Sequence, residues 1–331
     1  MIYAPFQAAF RATLPLALCP YDEQCGEVPP KWNVAELEPS YSGKTILVVG
    51  GTKGIGKAVA DIITKAGGRV IVVGRSAVDG NDSMQADLST VQGCKDLEQK
   101  MYERLVKAEV QFNFVVFSIG VWPEATNAYT SDGIHKVLAI DLLSRHLVMK
   151  ALVANRLLHN EVRVMSILAS CQAIPKMVVD TKSFHQGINA ATTPGAVIGL
   201  SGGFHLMLCT SIANDAWLQG LEKTLPKKAH CMGTFPGVLA TDLMANTLSA
   251  WMVPLVKMGM APIADSDENM GLQHAMILAS DNVTKRRVSY WAAPRLEARE
   301  ANSLAMAQEN ISFIWDELEA LRKREPPEPV S

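Results

Sequence analysis

The 331-residue chain is expected to fold as an α/β protein on one doubly wound parallel sheet, with an N-terminal arm and a C-terminal helix. Three observations predict this. Short apolar runs alternate with segments of helical period from residue 45 to residue 293. Each of the first two runs ends in glycine, as strands buried on both faces do. The first is followed at once by a glycine-rich turn that opens a helix. This rhythm implies right-handed crossovers and about seven strands.

The elements follow in order. Residues 1–42 hold six prolines and little periodicity, and are expected to be an irregular extension. TILVVG, from Thr45, is the first buried strand. IGKAVADIITKAGG then places Ile55, Val59, Ile62, Ile63 and Ala66 on one helical face, and Gly67-Gly68 stop the helix. RVIVVG is the second strand and SMQADL a short third. Residues 89–108 are expected to be helical, FNFVVF the fourth strand, 131–159 a long helix and VRVMSIL the fifth strand. A helix over 203–219, the strand KAHCMGTF, the helix ENMGLQHAMILAS and the strand RRVSYWAA complete the alternation. The tail 299–322 reads as a helix with Leu304, Ile311, Ile314, Leu318 and Leu321 near one face, before EPPEPVS. The division is an extension over 1–42, a core over 43–294, and a C-terminal helix with an acidic proline-rich end over 295–331.

Composition narrows the function. A net charge of −2 presents no basic face for nucleic acid. Six scattered cysteines form no Cys-x-x-Cys and no zinc spacing, so no metal is expected, and free thiols point to a reducing intracellular compartment. Cytosol and mitochondrion are not distinguished. No run of about 18 apolar residues lacks a charge or proline, so no transmembrane helix is expected. The first twenty residues carry only Arg11 and contain Pro15. They fit a pinned arm at least as well as a targeting segment.

GGTKGIG, Gly50 to Gly56, lies between the first strand and the first helix. Glycines at 50, 54 and 56 let the backbone approach a pyrophosphate, and the helix N-terminus offers free N–H groups with a positive dipole end. The spacing, with Ile55 between the last two glycines, resembles the short-chain dehydrogenase/reductase superfamily, from about Gly43 to Ala293. Asp87-Leu88 resembles its adenine-holding pair, and Pro236-Gly237-Val238-Leu239-Ala240-Thr241 its loop beside the nicotinamide. ILASDN resembles the helix end before its last strand. The resemblance implies a Rossmann fold and a dinucleotide held by Gly50, Thr52, Lys53, Gly54, Ile55, Gly56, Arg75, Ser76, Asp87, Leu88, Ser118, Gly120, Pro236, Gly237, Leu239 and Thr241. After the second strand the chain has Gly74-Arg75-Ser76, where an NAD site usually has an acid. Arg75 is suited to grip a 2′-phosphate, and Lys53 is near enough in sequence to share it, so NADP(H) is the expected cofactor.

The proton-transfer half departs from the family. The resemblance implies a Tyr that moves the proton, a Lys four residues on, a Ser and an Asn. Aligning Ile212–Asp215 with the family pattern puts Ile198 at the Tyr position and Gly202 at the Lys position. No Tyr-x-x-x-Lys occurs anywhere in the chain. Asp141 best matches the Asn, and Ser166 or Ser170 the Ser. An insertion over 172–202 carries Lys182 and His185. Candidates for a rebuilt acid are His185, His205 and Cys171, with Ser170 as the remaining catalytic candidate. Residues 243–262 are apolar and Met-rich, fitting a lid over a small apolar ligand, a partner surface, or plain core. The first expectation is an atypical NADP(H)-binding member with a degenerate site, held in a larger assembly through 1–42, 243–262 and 299–331. The alternatives are an active NADP(H)-dependent oxidoreductase on an apolar carbonyl or imine, or a cyclase-like enzyme on the same scaffold.

Overall fold

The computed structural model of the chain describes residues 21–30, 33–76, 82–124, 126–168, 179–236 and 266–324. Among them an eight-stranded sheet runs in the order β3-β2-β1-β4-β5-β6-β7-β8. Its strands are β1 (Thr45–Val49), β2 (Arg69–Gly74), β3 (Asp82–Gln85), β4 (Phe112–Phe117), β5 (Leu158–Ile167), β6 (His230–Phe235), β7 (Val288–Ala292) and β8 (Glu297–Arg299). The first seven are parallel, and β8 returns antiparallel on β7. The strand order reverses direction at β1, so the sheet is doubly wound and its switch point lies between β1 and β4. β1 (TILVV) and β7 (VSYWA) are buried almost throughout, which is why they read as unbroken apolar runs.

Helices cover both faces. On one lie α1 (Gly54–Lys65) and α6 (Asp267–Ala279), packed over Ile46, Val48, Val72 and Val116. On the other lie α2 (Val91–Met101), α3 (Ser144–Ala154), α4 (Thr181–Ala191), α5 (Gly199–Leu221) and α7 (Gln308–Arg322), over Leu47, Ile71, Val115 and Val164. The amphipathic face read from the sequence holds for α1, which buries Val59, Ile62 and Ile63. It holds for α7 too, which buries Ile311, Ile314, Leu318 and Leu321.

Several expectations are corrected. The strand count is eight among the described residues, because Glu297–Arg299 adds an edge strand. The N-terminal segment then covers that edge, with bridges Tyr21↔Arg299 and Glu27↔Glu297. The helix expected over 131–159 starts at Lys136 and ends at Ala154, and β5 begins four residues before VRVMSIL. A five-residue π-helical turn, Ala139–Leu143, interrupts that helix before α3. The helix over 89–108 becomes α2 and a second π-helical stretch, Tyr102–Val106. The helix expected over 203–219 extends from Gly199 to Leu221. The tail helix breaks at Ala307, whose extended backbone separates the short helix Ser303–Met306 from α7.

α7 lies on this chain's own surface. Trp315 Nε1 donates to Trp217 O at 3.2 Å on α5. Glu319 Oε1 lies 3.1 Å from His146 Nε2 and 2.9 Å from Lys150 Nζ, both on α3. Burial pushes the Glu319 carboxyl up, but hydrogen bonds from Lys150 and Arg322 outweigh it and hold it at about 2.

Candidate functional site

The glycine loop brings β1, β2 and β4 together at the switch point. Gly50 has φ +86, and a β-carbon there would stand 2.5 Å from Ile119 N. A β-carbon on Gly56 would stand 2.4 Å from Gly50 O and 2.9 Å from the Ser118 side chain. Only glycine allows this packing, so the chain end after β4 sits directly against the loop. The turn delivers α1 with no capping side chain on Lys53 and no acid in its first turn. The first-turn amides are therefore left for an anion, in the arrangement that binds phosphate. Gly50 donates its N–H to Val73 O at 2.8 Å, which ties the loop to β2.

Next to it, the Thr52 side chain lies over Gly74, where a β-carbon would meet Thr52 Cγ2 at 2.4 Å. That contact places Thr52 beside the end of β2, with Arg75 and Ser76 exposed just beyond. Gln85 donates to Arg75 O at 2.8 Å and so fixes the backbone, leaving the guanidinium out of that bond. Lys53 is exposed on the loop. After β3, Asp87 Oδ1 accepts from Ser89 N at 3.0 Å, and Leu88 is buried. A polar cavity of about 370 Å³, lined by Asp87, Thr90, Gln92, Asp96 and Lys100 among others, opens there. Thus Gly50, Thr52, Lys53, Gly54, Ile55, Gly56, Arg75, Ser76, Asp87, Leu88, Ser118 and Gly120 lie along the C-terminal edge of β1–β4. Pro236 follows β6 as the last described residue there. Gly237, Leu239, Thr241, Ser170, Cys171 and the segment 243–262 lie outside the described residues.

The two positions that the sequence resemblance aligns with the family's Tyr and Lys lie at the start of α5. Ile198 stands before the first turn of α5 and is 78% exposed. Gly202 follows in that turn, with Val197 Cγ1 as its nearest neighbour. Trp122, from the chain after β4, packs edge to face on Phe204 of α5 at 6.0 Å between ring centroids, so apolar groups line this end of α5.

The histidine candidates are engaged in packing. His185 on α4 meets Asn310 Oδ1 at 2.7 Å and stacks on Phe313 at 4.0 Å between ring centroids. His205 Nε2 lies 3.5 Å from Cys209 Sγ, one turn along α5. Burial pushes the Cys209 thiol up to about 12, so it is a neutral neighbour and not a thiolate. In the described part of the insertion, Asp180 caps α4 through Ser183 in a capping box.

A buried cluster beneath the strand ends holds Asp141 and Ser166, matched above to the family's Asn and Ser, together with Arg145 and Asn214, to which the sequence reading gave no role. The π-helical turn aims Asp141 at the chain after β4, where Oδ1 accepts from Val121 N at 2.8 Å. One turn on, fully buried Arg145 donates through Nη2 to Ile119 O at 2.5 Å and Ile167 O at 3.2 Å. Its Nη1 donates to Ser166 Oγ and reaches Asn214 Oδ1 at 3.4 Å. Ser166 Oγ in turn donates to Asn214 Oδ1 at 2.6 Å. One guanidinium therefore ties the ends of β4 and β5 to α3 and α5. Burial pushes the Asp141 carboxyl up to about 7, against the pull of Arg145 and the Val121 amide. Burial also lowers Arg145, which remains a cation at neutral pH.

The chain is similar to known oxidoreductases. It is 30% identical over 124 residues to an uncharacterized oxidoreductase of Saccharomyces cerevisiae, a stretch that covers 35% of this chain and 37% of that protein. It is 23% identical over 226 residues to carbonyl reductase family member 4 of Danio rerio, covering 64% of this chain and 83% of the relative. Its fold matches a short-chain dehydrogenase from Burkholderia cenocepacia solved in complex with NADP, with a TM-score of 0.54 and 19% identity, over 78% of this chain and 99% of the other. Its fold is that of the short-chain dehydrogenases/reductases among solved structures, and its curated relatives are oxidoreductases. No family model matches it. The chain spans little more than a third of the length of the first of these relatives, so that protein's activity does not carry over to it. Among the described residues no helix is long and apolar enough to cross a membrane, and no group of three His, Cys, Asp or Glu side chains is placed to hold a metal ion.

Proposed function

We propose that this chain binds NADP(H) through residues 43–294 and lacks the classical Tyr–Lys proton transfer of its superfamily, serving as a structural or regulatory subunit. The observation that carries the first half is the uncapped N-terminus of α1, set on a glycine loop that touches the end of β4. The residues fit the group: no β-carbon can enter the cradle at Gly50 or Gly56, and Arg75 and Lys53 stand exposed on the side where a 2′-phosphate would lie. The cofactor would supply a hydride. The chain would orient it by backbone amides and hold its phosphates by charge. The second half rests on Ile198 and Gly202, neither of which moves a proton.

Two outcomes test this reading. NADPH is expected to bind more tightly than NADH by roughly 10–150-fold, because a bidentate charged contact to phosphate contributes about 1.5–3 kcal/mol. Calorimetry with both nucleotides measures it, and equal affinities would sink the Arg75–Lys53 reading. Arg75→Ala should remove most of the difference.

Ketones and quinones are expected to be reduced slowly even with NADPH bound. Positioned acid–base catalysis is typically worth about 10²–10⁴-fold, and the residues that supply it are absent. Loss of NADPH absorbance over a substrate panel reads the rate. Turnover near ~10 s⁻¹ would establish the active-reductase alternative instead.

A further inference from the structure

The last helix is bent where its sequence gives no reason to bend. One residue, Ala307 at φ −67 and ψ 123, separates Ser303–Met306 from α7. The stretch SLAMAQENISFIWDELEALR contains no proline and no glycine, and alanine is the best helix former. Alanine is also a poor N-cap, and α7 has no side-chain cap hydrogen bond. One unbroken helix from Ser303 to Arg322 would give the first amides of α7 the carbonyls of Leu304 and Ala305. Local preference therefore favours a straight helix, and tertiary contacts hold the bend.

Those contacts form a latch. Asn310, fully buried, donates through Nδ2 back across the bend to Leu304 O at 2.8 Å. Its Oδ1 accepts from His185 Nε2 on α4 at 2.7 Å, and Phe313 stacks on the same histidine. Beyond the latch, α7 fills a face made by α3 and α5. Trp315 lies in a notch at Gly220, where any β-carbon would fall inside the indole. The Trp315 ring meets His146 edge to face at 5.1 Å. Glu319, one turn on, pairs with Lys150 and His146, and Ile311, Ile314, Leu318 and Leu321 bury the aliphatic stripe. A helix that fits this face carries Trp four residues before an acid on such a stripe. A second copy of this chain carries that helix by identity.

We propose that two copies exchange α7 by straightening at Ala307. The helix Ser303–Met306 stays on its own core, where Leu304 and Ala305 are buried. α7, about 22 Å long at 1.5 Å per residue, extends from it onto the α3–α5 face of the second copy. The second copy's α7 returns the contact, so the exchange closes at a dimer. Closed and exchanged forms make the same contacts on that face. They differ in the bend, in the Asn310–Leu304 bond and in the entropy of association, so protein concentration sets the balance between them. The exchange does not depend on a nucleotide and gives the C-terminal helix a defined partner.

Sedimentation of the full chain should show species of 35.9 kDa and of twice that mass, the heavier one rising with concentration. Lys150 Nζ and Glu319 Oε1, 2.9 Å apart, can be joined by a carbodiimide. An equal mixture of ¹⁵N-labelled and unlabelled chains is concentrated, and the dimer is isolated and cross-linked. About half of the Lys150–Glu319 cross-linked peptides should join a labelled to an unlabelled partner, as random pairing of exchanged helices requires. Ala307→Ser gives the bent form alone an N-cap. It should lower the dimer association constant by about fivefold for each of the two hinges, roughly 25-fold together. A chain that stays at 35.9 kDa up to its solubility limit overturns the proposal. A dimer whose Lys150–Glu319 peptides never mix labels overturns it too, because its helices have not exchanged. So does a dimer constant unmoved by Ala307→Ser. If that variant does not fold, label mixing in the native chain decides alone.

Discussion

Acidification from pH 6.5 to pH 4 is expected to remove about 3 kcal/mol of folding stability, well before carboxylate loss dominates. His146 on α3 and His274 on α6 are almost fully buried, and burial lowers each to about 4. The unfolded chain protonates them near 6.5. Between those limits the unfolded state therefore holds two more protons on these groups than the folded state. Asp141 acts in the opposite direction. Its carboxyl is raised to about 7, so in the same window the folded state holds one proton that the unfolded state does not. The net difference is about one proton, worth ~1.4 kcal/mol per pH unit over ~2.5 units. A domain of ordinary stability has about 5–15 kcal/mol in all, so the loss is large.

Glu319 steepens the fall at the acid end. Its carboxyl is held at about 2, so its stabilising contacts are complete above the unfolded value and are lost only as the pH drops toward 2. Urea unfolding at half-unit steps from pH 7.5 to 4 measures the slope. His274 has Nδ1 on Met270 O at 2.7 Å and no partner for Nε2, so His274→Met removes a titrating group without leaving a charge. That variant should flatten the profile, while Asp141→Asn should steepen it. A native profile that is level from pH 6.5 to 4 contradicts the buried neutral histidines.

What the sequence showed and what it hid divide along physical lines. β1, β2 and β4 were legible because a strand covered on both faces must be apolar throughout, and the glycines at 50 and 74 mark where the backbone must crowd. β8 was hidden because its three residues, Glu-Ala-Arg, have no pattern of their own and owe their pairing to β7 and the N-terminal segment. The glycine loop was legible because its chemistry is local. The Arg145 cluster was not, because an arginine between Ser144 and His146 reads as a solvated helix face. Only the tertiary fold shows that four oxygens from three elements surround it. The one available signal was the apolar company of IDLLSRHLVMKAL, too apolar on all sides for a surface helix. His185 looked catalytic only while its partners Asn310 and Phe313, 125 and 128 residues away, were unknown.

The second large effect is expected at Arg145. Arg145→Ala should cost about 3–5 kcal/mol, the usual loss when one member of a buried charged network is removed. The Ser166 hydroxyl and the carbonyls of Ile119 and Ile167 lose the guanidinium at once, while Asn214 Oδ1 keeps the shorter bond from Ser166 Oγ. Asp141 also loses the charge that offsets its burial, so its carboxyl should rise further above 7 and stay neutral through the physiological range. Arg145→Lys keeps the charge but not the planar fork that spans two strand ends, and should recover only part of the loss. Arg145→Met fills the space and still leaves the carbonyls unpaired. The partner substitution separates charge from hydrogen bonding. If the Asp141–Arg145 attraction matters, Asp141→Asn combined with Arg145→Met should cost less than the sum of the two singles, by about 1 kcal/mol or more. Denaturant unfolding of the four proteins completes that cycle. A loss below 1 kcal/mol for Arg145→Ala would mean that water replaces the guanidinium without cost. The larger expected loss follows because the site is closed on every side by β4, β5, α3 and α5, and because the carbonyls it would orphan belong to the chain segments that shape the floor of the candidate nucleotide site.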